Sequence, residues 1–149
     1  MRFHLHTLAL LMALAALPIL PQTTNASAVQ DVSKFVGVWR GQFDNLPGVD
    51  LVIDNEGGSL HGAIVFYLHK RPDVNSAYTS TPGLPGPLLN PHVVGQTLYF
   101  KLSRRLAHAP RTLHDPPADF HLTITGPDQG ALGSDSEAAP GLLMKRADY

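Results

Sequence analysis

The chain has 149 residues, eleven Lys or Arg, twelve Asp or Glu and eight His, so its formal net charge is −1 with neutral histidines. That near balance lacks the clustered basic excess that phosphate neutralisation needs, and it argues against a nucleic-acid partner. With no cysteine in the chain, disulfide staples and a lipid-modified N-terminal cysteine are excluded, so packing and backbone hydrogen bonds must hold the fold.

Residues 1–28 read as a cleavable signal peptide. A short basic start containing Arg2 leads into an uncharged Leu- and Ala-rich run over residues 8–20. This falls short of the roughly 20 apolar residues that a membrane-spanning helix needs. Pro18 and Pro21 close the run, and Ala26-Ser27-Ala28 supplies a small-x-small cleavage site. The expected mature chain, residues 29–149, is therefore exported, periplasmic or extracellular. It carries no integral membrane span and is long enough for one domain with a single core.

From residue 36 onward, alternating apolar and polar residues recur between turn signals, the period-two pattern of half-buried strands. Residues 36–43 put Gly37, Trp39, Gly41 and Phe43 on one face. A turn over 44–48 precedes residues 49–54, with Val49, Leu51 and Ile53 aligned. The tetrad Asn55-Glu56-Gly57-Gly58 then reads as a tight hairpin turn into residues 59–69. There Leu60, Gly62, Ile64, Phe66 and Leu68 share a face.

Residues 71–91 contain five prolines and read as a long surface loop. Strands resume at 88–94 and 97–103, the latter aligning Leu98, Phe100 and Leu102. A second loop spans 104–118. Residues 119–125 align Phe120, Leu122 and Ile124, and weaker strands follow at 131–136 and 141–146. These eight segments, joined mostly by tight hairpins, predict a single all-β domain: an up-and-down antiparallel β-barrel of about eight strands, in which closure removes exposed edges. A sandwich is the competing architecture.

The opening Phe35-Val36-Gly37-Val38-Trp39-Arg40-Gly41 resembles the G-x-W signature of lipocalins and related calycin-type barrels, matched by Gly37 and Trp39. The resemblance implies that Trp39 closes one end of the barrel and packs against an arginine from a late strand. Arg146 is the counterpart, because Leu142, Met144 and Arg146 share one strand face. Gly58-x-Leu60-x-Gly62 also resembles the avidin group, but avidin-like sites wall their ligand with several tryptophans and this chain has one. Through Gly57-Gly58-Ser59-Leu60-His61-Gly62, Pro87-Leu88-Leu89-Asn90-Pro91 and Phe120-His121-Leu122-Thr123-Ile124-Thr125-Gly126, residues 35–146 further resemble small exported bacterial proteins of unknown function, which implies the fold and no activity.

An eight-stranded barrel interior either fills with side chains or holds one small ligand. The apolar inward faces fit both outcomes. If a lumen exists, Phe43, Ile64, Phe66, Phe100, Phe120 and Met144 line it, Tyr78 belongs to a lid, and the expected partner is a small apolar or amphipathic molecule. Arg104, Arg105, His108, Arg111 and His114 concentrate ionisable groups in the second loop, as an anion or metal site or simply a solvated basic loop. No catalytic motif, cofactor motif or metal-ligand spacing stands out. An enzyme using His108, His114 and Asp115, or a protein-interaction module working through the long loops, are the alternatives to a binding protein.

Overall fold

The computed structural model describes residues 31–103, 116–135 and 141–147. A short 3-10 turn, Ser33–Phe35, leads into ten strands. They are β1 (Gly37–Phe43), β2 (Leu46–Glu56), β3 (Ser59–Lys70), β4 (Thr79–Pro82), β5 (Gly86–Pro87), β6 (Leu89–Val94), β7 (Thr97–Leu102), β8 (Ala118–Gly126), β9 (Gln129–Ser134) and β10 (Leu142–Arg146). All pairings are antiparallel, and nine strands run in the order β4-β3-β2-β1-β10-β9-β8-β7-β6, with β5 lying alongside β3. The first and last long strands are thus neighbours, and the sheet curls into a half-barrel. Among the described residues no helix is long and apolar enough to cross a membrane.

The hairpin turns follow their residue chemistry. Gly57 and Gly58 take φ of 59° and 89° between β2 and β3, the left-handed pair that a two-residue hairpin demands. Between β1 and β2 the turn shrinks to Asp44 and Asn45, whose φ values are 49° and 62°. Asp and Asn tolerate that region better than other non-glycine residues. The chain therefore re-enters the sheet at Leu46, earlier than the alternation pattern indicates.

Among the described residues, ten strands stand where alternation predicts eight. The addition lies inside residues 71–91, read above as an unbroken loop, and it has a backbone cause. Pairing with β2, which ends at Val49 opposite Phe66, uses one edge of β3 and leaves the backbone groups of its other edge open. Strands β4 and β5 cover that open edge, β4 setting Tyr67 opposite Pro82, Leu68 opposite Thr81, His69 opposite Ser80 and Lys70 opposite Thr79, and β5 setting Ile64 opposite Gly86. An edge strand tolerates Pro82 because its missing N–H removes no interior ladder bond.

The inner face is packed. Trp39, Leu51, Ile64, Leu98, Leu122 and Met144 are essentially inaccessible, and none of the described buried residues is polar or charged. Full burial of each such side chain contributes about 1.5–3 kcal/mol before entropy is charged against it. Inward glycines show how completely the interior is used. A Cβ on Gly41 would lie 2.6 Å from the Met144 sulfur, and one on Gly130 would lie 3.0 Å from a Leu122 methyl and 3.5 Å from the Trp39 ring. At these places a large side chain occupies the space that the glycine leaves free.

Candidate functional site: an aromatic mouth

The two ends of the curled sheet differ in chemistry. At one end Trp39 and Arg146 are direct partners across β1 and β10. The Arg146 guanidinium carbon stands 4.9 Å from the indole centroid, while the indole Nε1 donates to the Phe35 carbonyl at 2.8 Å. Arg146 Nη2 donates to the Lys34 carbonyl. Its Nε lies 3.4 Å from an Asp128 carboxylate oxygen, an electrostatic contact without hydrogen-bond geometry. Gly37 sits beneath this group with φ of 132°, and a Cβ there would meet the Arg146 Cδ at 3.5 Å. Gly37, Trp39 and Arg146 thus pack as one cluster.

The other end is aromatic and open. Phe66 of β3 lies 5.8 Å from Phe120 of β8, measured between ring centroids, and Phe120 stacks on Phe100 of β7 at 5.9 Å. Strands β3 and β8 are far apart in the sheet order, so the first contact reaches across the curl. Phe100 is buried, Phe120 is half-buried, and Phe66 remains 43% exposed although it stands on the inner face. The opposite parity confirms that orientation, since the Tyr67 hydroxyl donates to Asp50 on the outer face at 2.9 Å.

Beyond Phe66, β3 and β4 continue as a two-stranded arm. Leu68, on the same face as Phe66, is 54% exposed, and Lys70 is the next residue on that face. At the tip, the Arg71 guanidinium lies 5.0 Å from the centroid of the Tyr78 ring. Asp73 accepts hydrogen bonds from the Ser76 hydroxyl at 2.7 Å and the Asn75 backbone at 2.8 Å. Those bonds hold its carboxyl below the usual aspartate range.

Of the residues assigned to a lumen or lid by sequence, Phe66, Phe100 and Phe120 come together. Ile64 and Met144 lie deeper, inside the packed interior. Phe43 does not join them. A register shift between Gly41 and Gln42 turns its ring onto Gly48 and edge-on to His69, 6.2 Å between centroids. Tyr78 is half-exposed at the arm tip, away from the phenylalanine cluster. Arg104, Arg105, His108, Arg111 and His114, like the expected signal peptide, lie outside the described residues. The sequence reading overlooked Lys70 as the end of the Phe66-Leu68 face; the same alternation carried one residue further would have included it.

A hollow of about 120 Å³ is lined by Phe100 and Phe120 together with Asn90, His92, Tyr99, Lys101, Asp119 and Asp135. Ligand pockets usually measure about 300–1,000 Å³. Of its lining groups, Lys101 Nζ meets Asp119 at 2.9 Å, and the Asp135 carboxylate lies 3.2 Å from the Nδ1 of neighbouring His121. Among the described residues no group of three or more His, Asp or Glu is placed to hold a metal ion.

No protein family, curated protein or solved structure matches the chain. The likeness to calycins therefore rests on Gly37, Trp39 and the all-β sheet alone.

Proposed function

We propose that this chain is an exported binding protein that holds a small apolar or amphipathic molecule at the aromatic mouth. The observation that carries the reading is the half-exposed Phe66 ring, which stands on the inner face against Phe120. An aromatic side chain of this size loses the benefit of burial where it meets water, and an incoming apolar group restores it. Phe100, stacked beneath Phe120, keeps the platform from collapsing inward.

The reading includes a closed, calycin-like barrel. Strand β5 pairs with β3, setting Ile64 opposite Gly86, and the Leu88 backbone donates to the Gly62 carbonyl at 3.0 Å. One residue later β6 begins and pairs with β7, so residues 86–94 bridge the two sides of the curl. Export rests on the basic, apolar and small-x-small succession of residues 1–28.

Native mass spectrometry of the protein purified from its own host, followed by organic extraction, tests this. A reproducible small apolar mass is the expected outcome. A bare polypeptide that also takes up no apolar dye contradicts the reading and points to protein contacts through exposed residues such as Val74 and Leu84.

A further inference from the structure

We propose that the arm formed by β3 and β4 makes the mouth selective for organic anions: molecules with a ring-sized apolar body and one carboxylate, sulfonate or phosphate group. The inference rests on the mouth being an apolar site and adds the charge of its ligand.

Three features support it. First, the inner face of β3 changes character stepwise, from Phe66 packed on Phe120, through the exposed Leu68, to Lys70 at the strand end. A molecule lying along this face meets an aromatic surface, then an aliphatic one, then an ammonium group. Second, the cations at the arm tip have no carboxylate partner: among the described residues neither Lys70 nor Arg71 forms an ion pair. Arg71 contacts the Tyr78 ring and the Val74 carbonyl, which leaves guanidinium N–H groups directed elsewhere. Third, nearby carboxylates are already engaged. Asp73 is held by Ser76 and Asn75, and Asp50 is on the outer face with Tyr67 and Arg40. An anionic head group therefore finds positive charge at the tip without displacing an internal partner.

The interior limits the size of the apolar body. Beneath the phenylalanine cluster, Ile64, Met144 and Leu51 are fully packed, and Met144 fills the space over Gly41. These packed side chains, among the described residues, favour a compact apolar body on the phenylalanine layer over a long alkyl chain that would have to pass between them.

Two dyes with nearly the same apolar body separate the terms: anilinonaphthalene sulfonate, which is anionic, and phenylnaphthylamine, which is neutral. The purified protein is expected to bind the sulfonate about five- to tenfold more tightly than the neutral dye, the range two partly exposed charge contacts supply. Raised salt should narrow the gap. The combined variant Lys70→Gln with Arg71→Gln should bring the sulfonate to the affinity of the neutral dye, with thermal unfolding confirming that the variant is folded. Equal binding of the two dyes by the unaltered protein, or a preference that survives the double substitution, overturns the anion inference and leaves the apolar site standing. Failure of both dyes to bind overturns the apolar site itself.

Discussion

Arg146 and Trp39 form a stacked cross-strand pair: they are Cα partners across β1 and β10, with the guanidinium carbon 4.9 Å from the indole centroid. Trp39→Ala should cost about 3–5 kcal/mol, the range for truncating a fully buried large aromatic. A double-mutant cycle with Arg146→Ala, measured by urea unfolding, should return a coupling of at least ~0.5 kcal/mol. Strict additivity would show that the stacked arrangement contributes no energy of its own.

The filled interior makes a second demand. Gly130 lies under both Trp39 and Leu122, and an added Cβ would stand 3.1 Å from the Thr123 carbonyl oxygen. Gly130→Ala should destabilise the fold by about 1–3 kcal/mol, because a backbone oxygen yields less readily than a flexible side chain. A neutral or stabilising effect in equilibrium unfolding would mean that this part of the core has spare volume.

Trp39 is the only tryptophan and is completely buried, so its fluorescence reports one known place. Emission should be blue-shifted, and iodide should hardly quench it until the protein unfolds. Efficient quenching of the native protein would place the indole in contact with solvent.

The Tyr67 hydroxyl donates to Asp50, and that hydrogen bond, helped by burial and by the Asp50 charge, pushes the phenol pKa above its ordinary value. Because the folded-state value is raised, the contribution to stability is complete below the unfolded tyrosine pKa of about 10 and disappears as pH climbs through the higher folded value. In an ultraviolet titration one of the four tyrosines should ionise later than in the variant Asp50→Asn. Identical titration curves for the two proteins would remove this bond from the account.

Strand alternation was legible wherever one face met the core and the other met water. Leu98-Tyr99-Phe100-Lys101-Leu102 is an example: its even-numbered residues are buried and its odd-numbered ones exposed. The tight turn at Gly57-Gly58 was equally legible, because left-handed backbone leaves a mark in residue choice. Strands β4 and β5 were not. Their sequences, Thr79–Pro82 and Gly86–Pro87, show no alternation, and they pair because the edge of β3 away from β2 offers free backbone groups, at residues 67–70 for β4 and at Ala63 and Ile64 for β5. Alternation shows that Leu142, Met144 and Arg146 share a face; the register that sets Arg146 opposite Trp39 depends on how many residues bridge the turns between distant strands. For the same reason the meeting of Phe66 with Phe120 could not be read locally, and the register shift that turns Phe43 away from them leaves no trace in its own strand's pattern.

On the proposed function, ligand enters at the end where Phe66 meets Phe120. The most direct test is a nuclear magnetic resonance titration of phenylalanine-labelled protein with anilinonaphthalene sulfonate, following each ring. The account predicts large shifts at Phe66 and Phe120, smaller ones at Phe100, and none at Phe35 beside Trp39. Saturable binding that leaves Phe66 and Phe120 unmoved would contradict it and place the site elsewhere on the molecule.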